Sequence, residues 1–519
     1  MCGPAAVTAV ATLLALAAMA GPAAAEVADH DPRLRTSAPQ ARRAVEPADL
    51  GPAAGSNAGS AGVERRTWRA LAPTTAFAFD AIPRTGANWP ADPTGAVSDS
   101  WYFVAVNTHY ALYDLSGTIV LGPSSFAGLF EPSPGIQAFD PKIVYDPYED
   151  TFVLAFLGVN DRERTSWIHV VSIPDATAED RSTWCGTRIP GDRTRGDGKQ
   201  WPDYPGLGFS VDRITLSTNQ FNFKGSRFST AQILSIPKDR LYDCTKKLRF
   251  DTFAGRQTRD PDGSRAFTIM PAISVGSSPR AQFLVSLDEG KRSTLVLWRI
   301  KLTPTGGPVL RQTAFAVGKT KIAPYGTQCR GRLNGPNTWW DPGDLRLVTA
   351  HFDADLRRVY TAHPIARDLV PGTVTGGYVE SVIRWYEIRV GSELDSSEVS
   401  RKGLIGEPES DTGWPALTTD TDGNLSVTYS QASLPNDECL SAFAGRIGPG
   451  GTGIERTLLA PGEQRFEAIR GPERWGDYAA AVRDPVDGSR VVLVNQYARA
   501  DGGPTTIDWQ ELVAIVTEG

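Results

Sequence analysis

Trp201-Pro-Asp-Tyr-Pro-Gly-Leu-Gly-Phe-Ser-Val-Asp-Arg-Ile-Thr-Leu-Ser-Thr-Asn219 decides how this chain is read. It opens on an aromatic and acidic entry, continues as a short apolar strand, turns at Asp212–Arg213, and runs back as a second strand to Asn219. The same unit recurs. Trp89-Pro-Ala-Asp92-Pro precedes a turn at Ser98–Ser100 and the run Trp101–Asn107, and Phe139-Asp140-Pro precedes Lys142–Tyr145 and Thr151–Leu157. Met270-Pro leads into Ala272–Val275 and Ala281–Leu287, and Trp340-Asp-Pro-Gly-Asp344 into Leu345–Ala350 and Arg358–Ala362. Trp414-Pro leads into Ala416–Thr419 and Asn424–Ser430, and Trp475-Gly-Asp477-Tyr into Ala479–Val482 and Arg490–Tyr497. That makes about seven copies, spaced roughly 45–75 residues apart, a period that covers propeller repeats.

Composition agrees with many strands and many turns. The 519 residues include 51 Gly, 38 Pro and 13 Trp, with 41% hydrophobic and 22% charged residues. A net charge of −6 leaves no basic footprint for nucleic acid or an anionic membrane. Residues 1–25 hold the apolar run Val7–Met19 and end in Ala23-Ala24-Ala25, a leader pattern without the usual basic start. The run is too short to span a bilayer, so the expected location is secreted, with no membrane span. Loss of the leader also removes Cys2 and leaves Cys185, Cys244, Cys329 and Cys439. In an exported chain four cysteines suggest two disulfides, with three possible connectivities. Pairing 185–244 and 329–439 ties neighbouring repeats; buried free thiols are the alternative. No pair has C-x-x-C spacing, which disfavours zinc.

Residues 26–70 are rich in Ala, Pro, Gly, Ser and Arg and nearly lack aromatics, the composition of a disordered linker. From about residue 71 to 519 the chain reads as one all-β domain. Third and fourth strands follow in most repeats, but the seventh repeat ends one strand short after Trp509–Val516. Thr74–Ala81, which alternates small and aromatic residues ahead of the first repeat, can supply the missing strand. The expected fold is therefore a β-propeller of seven four-stranded blades, its ring closed by an N-terminal strand. Separate sandwich domains are the structural alternative.

In a propeller the loops entering each innermost strand and those following each second strand open on one face. That rule gathers Asp92, Asp140, Asp203 and Asp477, with His109, as candidate acids and bases. It brings Trp89, Trp201, Tyr204, Trp340, Trp414, Trp475, Asn219 and His363 to the same mouth as candidate ligand contacts. The carboxylates could hold a structural Ca²⁺ on the axis, or raise one another's pKa for acid catalysis. Equally, an Asp before Pro caps its loop by accepting backbone amides, and repetition in most blades favours that role. Indoles repeated at one position pack between blades more often than they stack on sugars. Trp340 is singled out because one ring of Trp339-Trp340 is hard to bury in a Gly/Asn-rich loop.

Arg483-Asp484-Pro and Glu438-Cys439 echo fructan-cleaving hydrolases in the wrong order, and Asp420-Thr-Asp-Gly-Asn424 reads best as a hairpin turn. Asp92-Pro-Thr-Gly-Ala-Val with Tyr102-Phe-Val-Ala-Val-Asn, Asp140-Pro-x-x-x-Tyr-Asp146, Trp201-Pro-Asp-Tyr-Pro and Trp475-Gly-Asp-Tyr resemble a group of secreted bacterial β-propeller proteins of no established activity. The resemblance covers about residues 88–516 and implies fold and export without a catalytic residue. The plan is more distantly similar to sialidase-like and lyase propellers acting on extracellular polysaccharides.

Two functions follow as expectations. One is a glycan-active hydrolase or lyase working at the funnel face; the other is a non-catalytic module, monomeric, that binds an extracellular glycan or protein. No nucleotide loop, Cys/His metal cluster or Gly-x-Ser-x-Gly elbow is present.

Overall fold

A computed structural model describes residues 71–84, 90–129, 135–191, 200–288, 290–303, 306–330, 339–369, 379–467, 472–500 and 508–518. The leader at 1–25, the linker at 26–70 and Trp89 lie outside the described residues. Seven sheets each contain a four-stranded antiparallel ladder. Blade 1 runs Thr94–Val97, Trp101–Val106, His109–Asp114 and Ile119–Ser125 from the axis outwards. Blade 2 spans Gln137–Asp146 to Cys185–Pro190, blade 3 Gln200–Phe209 to Asp251–Ala254, and blade 4 Met270–Pro271 to Pro308–Ala316. Blade 5 spans Thr349–Asp353 to Glu398–Ile405 and blade 6 Asp411–Thr419 to Glu455–Gly462. The innermost strands touch in sequence, and that of blade 7 (Ala480–Arg483) meets that of blade 1, so the ring is closed.

Closure uses the strand expected from the sequence. Pro73–Pro83 pairs antiparallel with Asp508–Glu518 as the outer strand of blade 7, beyond Val491–Arg499. Strands in the middle of a blade are covered on both faces, so Thr151–Asn160 is buried throughout, whereas the outer Pro308–Ala316 only alternates between half-buried and exposed. Neighbouring blades interlock through aromatic contacts such as Phe103 of blade 1 edge-on to Phe152 of blade 2 at 5.6 Å. Where blades 3 and 4 approach, Gly208 is required: a Cβ there would sit 2.3 Å from the Ala272 carbonyl.

Three features differ from the sequence expectation. Blade 4 has only a two-residue innermost strand, because Pro271 offers no amide and Ile273–Val275 crosses to pair parallel with Thr349–Asp353 of blade 5. The Gln282 side chain takes over, donating to the Ala272 carbonyl at 2.9 Å. The innermost strand of blade 5 begins at Thr349 rather than Leu345. The linker before it is instead spent on a small sheet, in which Gly326–Thr327 pairs with Trp339–Asp341 and that strand pairs parallel with Glu473–Arg474 at the entry to blade 7. In blade 3 the outer strand, expected from the sequence at Lys247–Phe250, lies at Asp251–Ala254, after the short helix Lys238–Leu241 and the Cys244 loop.

Both expected disulfides are present. Cys185–Cys244 joins blade 2 to the loop of blade 3, and Cys329–Cys439 ties the blade 4–5 linker to blade 6. Their sequence separations are 59 and 110 residues. Loop-closure entropy then gives about 4 kcal/mol for the first and about 5 kcal/mol for the second as upper estimates. Replacing Cys329 and Cys439 by Ala should lower the denaturant midpoint at least as far as replacing Cys185 and Cys244. Unchanged midpoints would refute the stabilising role of both bridges.

Candidate functional site: an acidic cluster at one end of the channel

Most innermost strands enter through the same irregularity. Register shifts fall between Phe139 and Lys142, Asp203 and Gly206, and Gly413 and Ala416. A non-glycine residue with positive φ marks five of the seven entries: Asp92 (49°), Asp140 (52°), Tyr204 (51°), Thr268 (50°) and Trp414 (50°). Such a bulge turns the strand out of its ladder and re-aims its side chain, here towards neighbouring blades. Asp203 and Asp477 stand one residue earlier in the register than Asp92 and Asp140, beside Tyr204 and Tyr478 respectively.

The structure brings the four acids together at one end of the axis and buries them, at 0% exposure for Asp92, 6% for Asp140, 3% for Asp203 and 5% for Asp477. Three of them, Asp92, Asp140 and Asp477, are joined with Asn107 and Tyr204 in a closed circuit of hydrogen bonds through blades 7, 1, 2 and 3. Asp477 N donates to Asp92 Oδ1 at 2.8 Å, and Asn107 Nδ2 donates to Asp92 Oδ2 at 2.6 Å. Asp140 N donates to Asn107 Oδ1 at 2.8 Å, and Tyr204 N donates to Asp140 Oδ2 at 3.2 Å. Tyr204 then crosses the channel, its hydroxyl donating to the Asp477 carbonyl at 2.9 Å. Asp92 and Asp140 accept backbone amides, as an Asp at a strand entry was expected to, but these amides belong to neighbouring blades rather than to their own loops.

Basic side chains join the cluster. Arg474 pairs with Asp477 at 2.6 Å, and Arg346 pairs with Asp344 and lies 4.1 Å over the Tyr204 ring. Lys142 of blade 2 reaches Tyr478 of blade 7, its Nζ 3.1 Å from the ring centroid. Burial raises the Asp92 carboxyl well above its ordinary range, and Asp477 raises it further. Burial acts the same way on Asp140, reinforced by Asp203, Asp92 and Asp477. Asp203 is pushed up to about 6 by burial, against the pull of Arg346. Burial lowers Lys142 to about 7 despite the same carboxylates. Together these groups form a coupled set able to hold and exchange protons near neutral pH.

The other sequence candidates fall elsewhere. His109 opens the third strand of blade 1, one strand further from the axis, with Thr108 Oγ1 2.9 Å from its Nδ1. His363 is buried, its Nδ1 2.9 Å from the Leu345 carbonyl and its Nε2 3.3 Å from Tyr386 Oη. Asn219 staples blade 3 to blade 4 as Asn107 staples blade 1 to blade 2, accepting from Thr268 N at 2.9 Å. Trp201, Trp414 and Trp475 are buried; Trp475 Nε1 donates to Ser430 Oγ at 2.9 Å and Trp414 Nε1 to the Asp341 carbonyl at 2.8 Å. Trp340, expected to resist burial, is fully inside, stacked over Gly326, with Nε1 donating to the Thr327 carbonyl at 3.2 Å. Its neighbour Trp339 is the half-buried ring. Among the described residues no three His, Cys, Asp or Glu side chains are placed to hold a metal ion.

Sequence reasoning passed over Lys142, Arg346, Arg474 and Tyr478. Lys142 carried a signal: positions matched by their ladder partners hold Thr94, Gly206, Met270, Thr349, Ala416 and Ala480, so a cation there is an exception.

Fold and cluster define a β-propeller with a charged axial mouth. The chain matches no protein-family model and no curated protein sequence. Among solved structures it is similar to the GH93 α-L-arabinofuranosidase of Fusarium graminearum in complex with arabinobiose, at 8% identity over 86% of this chain and 98% of that one, TM-score 0.38. It is also similar to the Penicillium chrysogenum α-L-arabinanase complexed with arabinobiose (10% identity, 73% and 93% coverage, TM-score 0.36) and to the Dos1 propeller (9%, 86% and 96%, 0.33). The likeness is distant, and no residue role passes across it. No helix among the described residues is long and apolar enough to cross a membrane.

Proposed function

We propose that the protein works outside the cell and binds a glycan at the channel end where the strand entries converge. The observation that carries this reading is the cluster itself, which sets carboxyls, an amine, guanidinium groups and phenols within one mouth. That mixture of donors and acceptors, with aromatic faces, suits the hydroxyls and ring faces of a sugar. Two disulfides fit an oxidising location.

Within that reading, Asp140 and Asp203 are the pair suited to cleaving a glycosidic bond. Burial and the neighbouring carboxyls raise Asp140 and so favour its protonated form as the acid, while Asp203, near 6, is the more readily ionised of the two and serves as the base. The test combines a polysaccharide panel, assayed for binding by calorimetry and for new reducing ends, with Asp203→Asn. Cleavage by the wild type, abolished in Asp203→Asn at an unfolding midpoint no lower than the wild type's, is the expected result. Binding without product would establish the non-catalytic module, favoured by the use of Asp92 and Asp140 as interblade staples. Neither binding nor product across the panel would overturn both readings.

A further inference from the structure

Lys142 is the one charged side chain among the seven matched innermost-strand positions. It forms no ion pair among the described residues, although four carboxyl groups surround the mouth. Its amine instead lies on the Tyr478 ring, 3.1 Å from the centroid. Tyr478 adds an independent observation: its hydroxyl is buried and has no hydrogen-bond partner among the described residues. An unpartnered buried phenol beside a desolvated amine is costly unless a third group completes the site. The groups that face Lys142 are Asp140 on its own strand, Asp92 of blade 1, and Asp477 and Tyr478 of blade 7.

We propose that Lys142 is an imine-forming amine on the channel axis, taking the aldehyde carbonyl of a small ligand such as the open-chain reducing end of a sugar, with Tyr478 Oη donating to the carbonyl oxygen and Asp140 supplying the acid. The amine lone pair attacks the carbonyl carbon, and the nitrogen proton passes to oxygen to give the carbinolamine. The C–O bond then breaks as the Asp140 carboxyl protonates the leaving hydroxyl. Water departs, and an iminium faces the new Asp140 carboxylate. Neutral amine, neutral carboxyl and aldehyde thus become iminium, carboxylate and water, with no net charge change and no redox step. A lysine lowered to about 7 supplies the free amine at neutral pH, as desolvated lysines do in carbonyl chemistry.

The inference goes beyond glycan binding and is tested without a glycan. The intact chain is treated at pH 7 with glycolaldehyde and sodium cyanoborohydride, and adducts are mapped by mass spectrometry. Lys142 should label at least about tenfold faster than the well-exposed Lys246, and Tyr478→Phe should slow Lys142 alone without moving the unfolding midpoint. Competitive acetylation across pH should give Lys142 a midpoint near 7. Labelling that merely follows exposure, a Lys142 midpoint shared with the surface lysines, or indifference to Tyr478→Phe would each overturn the proposal. Failure of the glycan panel would leave it standing, and failure here would leave glycan binding standing.

Discussion

A chain beginning at Leu71 should fold and unfold cooperatively, whereas one beginning at Arg84 should be recovered as aggregate. The difference is the strand Pro73–Pro83, which comes from the opposite end of the sequence to the sheet it completes. Without it, Asp508–Glu518 becomes an open edge with unpaired amides and carbonyls, a template for association with other chains. Side-chain anchors are lost too. Ile82 N donates to Glu511 Oε2 at 3.2 Å, Gln510 Nε2 to the Ala81 carbonyl at 3.3 Å, and Tyr497 Oη to Asp80 Oδ1 at 3.1 Å. Phe79 packs against Tyr102 at 5.5 Å and Tyr113 at 5.1 Å, so the same strand seals blade 7 against blade 1. Size-exclusion chromatography and thermal unfolding of the two truncations decide the matter. A softer version, Ile82→Ala at a fully buried position, should remain soluble and lose about 2–4 kcal/mol. A monomeric, cooperative chain from Arg84 would show that ring closure by this strand is dispensable.

That strand was legible in the sequence because two facts met: a seventh repeat one strand short, and a spare alternating segment before the first. The blades were legible for a similar reason, since turn residues recur between short apolar runs, and the cysteine pairing followed from repeats lying side by side. The Gly326–Thr327, Trp339–Asp341 and Glu473–Arg474 sheet was not. Strands of two or three residues have no periodicity, and Arg474 lies more than a hundred residues from its partner strand. The same sheet explains Trp340, whose loop gave no hint of the Gly326 backbone it would cover. The acids were located but their setting was not. An Asp before Pro reads alike whether it faces water or accepts an amide from another blade, and only the ring decides which. Lys142 meets Tyr478 across the axis, and Arg346 lies over Tyr204, contacts that no local pattern encodes.

The circuit around Asp92 makes Asn107 the residue whose change of one atom should matter most. Its Oδ1 accepts from Asp140 N, while its Nδ2 donates to Asp92 Oδ2 and, at 3.3 Å, to the Pro90 carbonyl. Asn107→Ala removes all three bonds and leaves a buried amide and a buried carboxyl short of partners, a loss of about 3 kcal/mol. Asn107→Asp keeps the acceptor but points a second carboxyl oxygen at Asp92 and at a carbonyl, so about 4 kcal/mol or more should be lost at pH 7. The two variants separate by pH. The introduced carboxyl, buried against Asp92, has a folded-state pKa above its unfolded one; its protonated form is favoured by folding, so the stability it permits is present at low pH and lost as pH rises. The wild type carries the same sign through Asp203. Raised from 3.8 to about 6, that group contributes stability fully present below about 4 and lost as pH climbs through 6, at most on the order of 3 kcal/mol. Asn107→Ala introduces no titrating group, so its deficit against the wild type should stay nearly constant, while the deficit of Asn107→Asp should shrink between pH 7 and pH 5. Denaturant unfolding of the three proteins at both values is the measurement. If the Asn107→Asp deficit is flat with pH, or absent at pH 7, the circuit does not hold the blade entries together as the geometry requires.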